Sequence, residues 1–534
     1  MAIRERVPGS VAASAAGLAV VLALVFLLVP GAVYSADAWF GLKMPGKRAQ
    51  QSQNYREAYA TPALPPLSLR LPEADDPYTG IDGAEVHRYL EEIIGITRQH
   101  RPDGENYWGR IAGSAAERAT VDYVADRFRE FGLTEVRTEP VTGGPQWWPT
   151  DWSVTLVGNS AYGEGTEDYR LGSAFPAVQL GTGAMDVAAL EADLVYVGLG
   201  QPVDLLNRKL AGRIAVVRAE LQPDPFFQTA RGHIEDIVHA GAIGVITIMD
   251  APGNHQYALE GLGAPDVPCL VVGGDDGRFL EEALAAVGRI ERQDVALKAR
   301  VNMKAEVHKS WEGKNVVGMI PGTIDEYVIL TAHLDGYFDS ANDNAGGVAA
   351  MLTLARFFAD TQPQRNLLFV GTSAHHEFSD GSRAFIDAHP EILEKTVLVF
   401  NIEHPSSIKS YYRGRLKLER VTVPGQLIVT TSQSKRSLTI SNGNPLLHSI
   451  YQDGIDRYGM VVDAMIARRP TGDAYDFFLA RTPVVQILDA NLWFHSSGDR
   501  VDTIHPNGLE RATRLYAFVL DRIDQASWDE LRTR

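Results

Sequence analysis

Apolar residues at Val86, Tyr89, Leu90 and Ile93 return at helical spacing, which predicts a helix over Val86–Arg98. Ser114, with Glu117 three residues on, has the form of a capping box and starts a second helix over Ala115–Phe131. Gly132 stops it, and Thr134–Val141 then alternates as a strand. No metal-binding or nucleophilic cluster falls in this stretch, so it reads as scaffold. Between about 165 and 300 the pattern changes to short continuous apolar runs at Leu194–Val197, Ile214–Val217, Ala242–Ile248 and Cys269–Val272. Gly- and Pro-rich turns separate these strands, with one helix over Phe227–Ala240 whose His233 and His239, six apart, do not share a face. From 312 to 525 strands and helices alternate. Asn315–Ile320, Tyr327–Ala332, Asn366–Ser373, Thr396–Ile402 and Pro483–Leu488 read as strands, and Asn344–Ala359, Pro445–Tyr458 and Leu509–Ala526 as helices. That alternation predicts an α/β domain around a mainly parallel sheet.

The first residues follow another logic. Val11–Val29 carries no charge, follows the basic Arg4 and Arg6, and leads into small residues up to Ala36. This is the layout of an export signal over 1–36, either cleaved or kept as a membrane anchor. Both versions put the rest of the chain outside the cytosol, secreted or periplasmic. Five prolines between Pro62 and Pro77 make 37–81 an extended linker. A net charge of −17 argues against a nucleic-acid partner, because phosphate binding depends on Lys and Arg. The single cysteine, Cys269, excludes an intramolecular disulfide and a thiolate zinc site. Any metal must be held by His, Asp and Glu.

Those residues gather after strands. In open α/β sheets ligands bind beyond the carboxyl ends of the strands. One strand end gives His333-Leu334-Asp335 followed by Asp343-Asn344, another gives His375-His376-Glu377, a third Glu403-His404, and a fourth leads to His495. His333 and Asp335 are two apart and project to one side, so Asp335 can hold the imidazole of His333. Asp343 lies just before a helix, where a carboxylate is favoured, and its two oxygens can bridge two cations. A His and carboxylate set without sulfur suits zinc, with other divalent transition metals as alternatives.

The stretches NVVGMIPG, VILTAHLD, NDNAGGVAAMLTLARFF, LVFNIEH and FHSSGDRVDTI resemble peptidase family M28, whose members are mostly di-zinc aminopeptidases. GRIAGSAAERATVDYVADRFREFGL resembles the start of the same domain. LAGRIAVVRAE, HAGAIGVITI and VPCLVV resemble an inserted protease-associated domain. The resemblance implies a parallel-sheet zinc-peptidase domain with helices on both faces, over 82–160 and 301–534. It also implies a β-rich α+β insertion over 161–300. It further implies an exopeptidase acting on a peptide or small amide through a water activated by two Zn2+ ions. His333 and Glu403 would bind one zinc, Glu377 and His495 the other, Asp343 both, and Asp335 would support His333.

One segment departs from the family. Members carry two adjacent glutamates here, the first a general base and the second a ligand, whereas this chain reads SAHHEFSDGSRAF. Ungapped counting from Gly381-Ser382 sets His375 and His376 on those positions. A loop one residue shorter sets His376 on the base position and Glu377 on the ligand position, and this second register is preferred because it restores a carboxylate ligand. His376 is then the expected base. His404 is read as solvated or supporting. Asp473, in TGDAY, is a candidate for binding a substrate amino terminus, with a helix N-cap as the equal alternative. The altered segment also leaves open a non-catalytic binding module, or a hydrolase or transferase acting on a non-peptide amide.

Overall fold

A computed structural model describes residues 38–45 and 76–532, apart from 102–106, 178–182, 221–229, 265, 291–294, 407, 414–415, 419–420, 424–425, 434–435, 461, 465–468 and 490–491. The export signal over 1–36 and most of the linker over 37–81 lie outside the described residues. Among the described residues no helix is long and apolar enough to cross a membrane.

The main sheet has eight strands in the order Thr134–Gly143, Trp311–Ile320, Arg365–Thr372, Ile324–His333, Thr396–Ile402, Val484–Asp489, Arg436–Ile440, Val462–Ala464. Arg365–Thr372, Ile324–His333, Thr396–Ile402 and Val484–Asp489 are consecutive and mutually parallel. Their carboxyl ends therefore lie along one edge. These strands are largely buried because both faces are covered. Val328, Leu330, Phe369 and Phe400 face a core shared with the helices Gly83–Gln99, Gly346–Phe358 and Pro506–Gln525. Ile329, Leu368, Val370 and Val399 face the opposite way, toward Phe385 and Phe477 of Asp380–Ala388 and Asp473–Leu479.

The chain leaves this sheet after Gly143 and returns at Trp311. In between it builds a second eight-stranded sheet with its own apolar core. Gln146–Leu156 pairs with Lys298–His308, so the second sheet draws on residues from 146 to 308, wider than the 161–300 read from the sequence. Turn chemistry marks strand interiors better than it marks pairing between strands far apart in sequence, such as Gln146–Leu156 and Lys298–His308. The helix expected over Phe227–Ala240 is described only from residue 230, and there it runs Ile234–His239.

Candidate metal centre

Three pieces of scaffold fix the loops that carry the site. Arg110 is fully buried and donates to the carbonyls of Leu334 (2.8 Å), Asp339 (2.9 Å) and Ser340 (3.1 Å). It thereby ties the strand end at His333 to the turn that presents Asp343. Asp499 accepts the backbone N–H groups of Asn342 (3.0 Å) and Asp343 (3.1 Å), which holds that turn from the other side. Ser114 caps the helix Ala115–Glu130 by accepting the N–H of Glu117 at 3.1 Å, as the sequence predicts. The carboxylate of Glu117, however, takes the N–H of Gly113 and the hydroxyl of Ser373, next to the histidine pair.

Four imidazoles converge on Asp343. Its Oδ1 lies 3.1 Å from His333 Nε2 and 2.9 Å from His404 Nε2. Its Oδ2 lies 3.0 Å from His495 Nε2 and 3.5 Å from His376 Nε2. His376 Nε2 and His495 Nε2 face each other at 3.1 Å. His333 Nε2, His404 Nε2 and Asp343 Oδ1 are buried and complete no hydrogen bond among the described residues. Buried polar atoms normally have partners, so this convergence without bonds suits a cation-binding site. His376 and His495 with Asp343, and His333 with Glu403 and His404, each form a set compact enough to hold one ion. The donor set fits zinc.

The other ring nitrogens are pinned. His376 Nδ1 lies 2.7 Å from Asp335 Oδ2, His333 Nδ1 lies 3.1 Å from the Asp335 carbonyl, and His375 Nδ1 lies 3.1 Å from Asp473 Oδ1. Each of these contacts leaves Nε2 as the outward-facing nitrogen. His375 stacks on His333 with centroids 4.0 Å apart. Gly472 makes room for it: a Cβ there would meet His375 Cε1 at 2.5 Å, and the backbone φ is +59°.

The structure brings together His333, Asp343, His376 and His495 of the residues singled out from sequence, with Glu403 beside them. Four expectations differ. Asp335 holds His376 by its carboxylate and touches His333 only by its carbonyl, the Oδ1 to Nδ1 separation being 3.7 Å. That carboxylate also accepts the backbone N–H groups of His375 (2.9 Å) and His376 (3.0 Å). This anchors both histidines at the strand end and turns Glu377 away. Glu377 instead accepts from Gln146 at 2.9 Å and joins none of the ion-sized groups. His404 is buried, not solvated. Asp473 follows the N-cap residue Gly472, and its carboxylate is engaged by His375 and by the Thr372 hydroxyl at 2.5 Å.

Burial works against ionisation of Asp343, yet the surrounding histidines hold its carboxyl well below the usual range. Burial opposes protonation of His404 and His375, but Asp343 raises the first to about 9 and Asp473 raises the second to about 10. Asp335 and Asp343 likewise raise His376. Burial dominates at His495, which is lowered, and at Glu377, which is pushed up to about 7. Sequence reading missed Arg110, Asp499 and the buried state of His404. The first two act through backbone carbonyls and N–H groups, which leave no spacing signature.

Comparison with known proteins fits this geometry. The model of Peptidase family M28 matches residues 315–520. A vacuolar membrane protease of Schizosaccharomyces japonicus is 31% identical over 85 residues, which is 15% of this chain and 10% of that protein. The alkaline phosphatase isozyme conversion protein of Escherichia coli is 24% identical over 243 residues, covering 39% of this chain and 69% of that one. The chain thus spans only about a tenth of the vacuolar protease it matches. Among solved structures, a peptidase M28 precursor from Shewanella amazonensis superposes with a TM-score of 0.62 at 18% identity, covering 85% of this chain and 98% of that one. A zinc aminopeptidase from Bacillus subtilis gives 0.58 at 16% identity, covering 87% and 99%. Residues 315–520 match the model of Peptidase family M28, and the chain shares its fold with these two solved structures.

Proposed function

We propose that the chain is an exported zinc-dependent exopeptidase, specifically an aminopeptidase, acting on peptides or small amides. The observation that carries this reading is the convergence of four imidazole Nε2 atoms on the single buried carboxylate of Asp343. Two bound divalent ions would polarise a substrate carbonyl and acidify a water.

The chain's own residues divide the remaining work. His376 and His495 with Asp343 would hold one ion, and His333, His404 and Glu403 would hold the other. Asp335 orients His376 through Nδ1. Asn401 Nδ2, at 2.7 Å, and Gln486 Nε2, at 3.2 Å, hold Glu403 Oε2 and leave Oε1 toward the histidines. His375 is the proposed base, in place of the His376 expected from sequence. Asp473 fixes its Nδ1, stacking on His333 fixes its plane, and Nε2 is left to take the proton of the attacking water and return it to the leaving amine. The affinity of His375 for its own proton would fall with cations bound beside it, toward the range useful to a base at neutral pH. The second sheet is read as a protease-associated domain. Its insertion between two neighbouring strands of the main sheet and the stretches LAGRIAVVRAE and HAGAIGVITI support that assignment.

The test is hydrolysis of alanyl, leucyl and phenylalanyl p-nitroanilides beside their N-acetylated forms. The reading expects cleavage only with a free amine, lost in chelator and restored by zinc. Cleavage indifferent to chelator, or equal for acetylated substrates, overturns it.

A further inference from the structure

His495 is held in an unusual way. Its backbone φ is +53°, a left-handed conformation that a histidine keeps only where its surroundings enforce it. The N–H of Ser496 closes a local turn across it onto the carbonyl of Trp493 at 2.9 Å, and a segment of the inserted sheet braces that turn from outside. Between its strands Gly244–Met249 and Cys269–Val272 the chain runs out to the main sheet's carboxyl edge. There Gln256-Tyr257-Ala258 lies antiparallel to His495-Ser496-Ser497. The N–H of Ala258 donates to the carbonyl of His495 at 2.8 Å, and the N–H of Ser497 donates to the carbonyl of Gln256 at 2.9 Å. The N–H of Gln256 donates to the Ser497 hydroxyl at 3.1 Å, and Tyr257 and Ser496 form a β-bridge. Gln256, Tyr257, Ala258 and Ser496 are all buried, so water does not compete for these bonds.

We propose that Gln256–Ala258 is a positioning element of the metal centre. It holds His495 in its left-handed conformation, so that the ion position formed by His376, His495 and Asp343 exists only when the inserted sheet is docked. The proposal rests on the metal-site reading above and goes beyond it in one respect: the insertion helps build one of the two ion positions rather than only covering the cleft. The position formed by His333, Glu403 and His404 lies entirely on the main sheet and is independent of the clamp. Linkage makes the effect reciprocal, so filling the first position tightens the docking of the insertion.

The test is a stepwise zinc titration of the full chain against a chromophoric chelator, with circular dichroism as the check on folding. Ala258→Pro removes the donor to His495. It is expected to weaken one of the two zinc steps by about ten- to hundredfold, the range for lost supports of metal ligands, and to leave the other unchanged. Ser497→Ala keeps the backbone bonds and loses one acceptor. It should weaken the same step about fivefold, and Ser497→Thr should restore it. If Ala258→Pro does not fold, the Ser497 pair carries the test, beside limited proteolysis of residues 250–264, which zinc should slow in the wild-type chain. Folded variants that bind both zincs as the wild type does, equal weakening of both steps, or proteolysis indifferent to zinc would each overturn the proposal. A wild-type chain that takes up no zinc overturns the metal-site reading and this proposal with it. A wild type that binds zinc beside unaffected variants overturns this proposal alone.

Discussion

In the inserted sheet, several buried polar side chains bond one another. Asp276 takes the N–H and the hydroxyl of Ser173, Asn254 takes the N–H of Asp276, and Arg218 pairs with Asp250. At the carboxyl edge of the main sheet the equally buried His333, His404 and Asp343 aim nitrogen and oxygen atoms at a shared space and complete no hydrogen bond there. Both regions pay the desolvation cost of burying polar groups. In the first, Asp276 Oδ1 and Thr247 Oγ1 also lack a partner, but among the described residues no group there is compact enough to hold an ion. That difference separates scaffold from site more sharply than the number of charged residues does, because it asks whether the unbonded polar atoms share one space.

That contrast is broken most severely at Asp343. Asp343→Ala removes the one carboxylate common to both ion positions and leaves four imidazoles facing each other. It should abolish zinc uptake and hydrolysis together, measured by metal analysis and by the p-nitroanilide assay. His375→Ala separates chemistry from binding. Zinc content should stay unchanged while kcat falls by about 10²–10⁴, the contribution of a positioned base. Asp335→Asn keeps the side chain's size but loses the charge that orients His376. Zinc affinity should fall by about ten- to hundredfold. Asp276→Ala provides the control in the other region. It strands the N–H and hydroxyl of Ser173, so thermal unfolding should show a loss of about 1–3 kcal/mol with zinc content intact.

A smaller effect follows from protonation of the metal-free protein. His404, at about 9, and His375, at about 10, are both raised above the unfolded value of about 6.5. The folded state therefore binds more protons than the unfolded state between those values. The resulting stability is complete below about pH 6.5 and is lost as pH rises through 9 to 10. The melting temperature of chelator-treated protein should fall across that window. Zinc, which displaces the same protons, should remove the slope. A melting temperature that is flat or rises with pH in chelator would contradict these protonation states.

Much of this was legible before the fold was known. The helix starting after Ser114, the apolar strands of the main sheet, and Asp343 ahead of a helix follow from periodicity and capping chemistry. The chain reversal after Ala374 was not legible. Which of His375, His376 and Glu377 enters the site depends on two backbone N–H groups caught by the Asp335 carboxylate, and a side-chain pattern cannot record that. Counting without a gap would have put His375 and His376 in the two positions they take beside Asp473 and Asp343. The preference for a carboxylate ligand pointed to Glu377 instead. His404 escaped because strand alternation predicts an outward residue after Glu403. The strand ends at Ile402, and His404 has a φ of +45°, which brings its ring inward. The inserted sheet's hold on His495 joins residues more than two hundred positions apart and has no local signal.

The most direct measurement is zinc per chain, by mass spectrometry of the wild type, His376→Ala and Glu377→Ala purified without chelator. About two zincs are expected in the wild type and in Glu377→Ala, and about one in His376→Ala. Two zincs in His376→Ala with one in Glu377→Ala would contradict this and return the ligand role to Glu377.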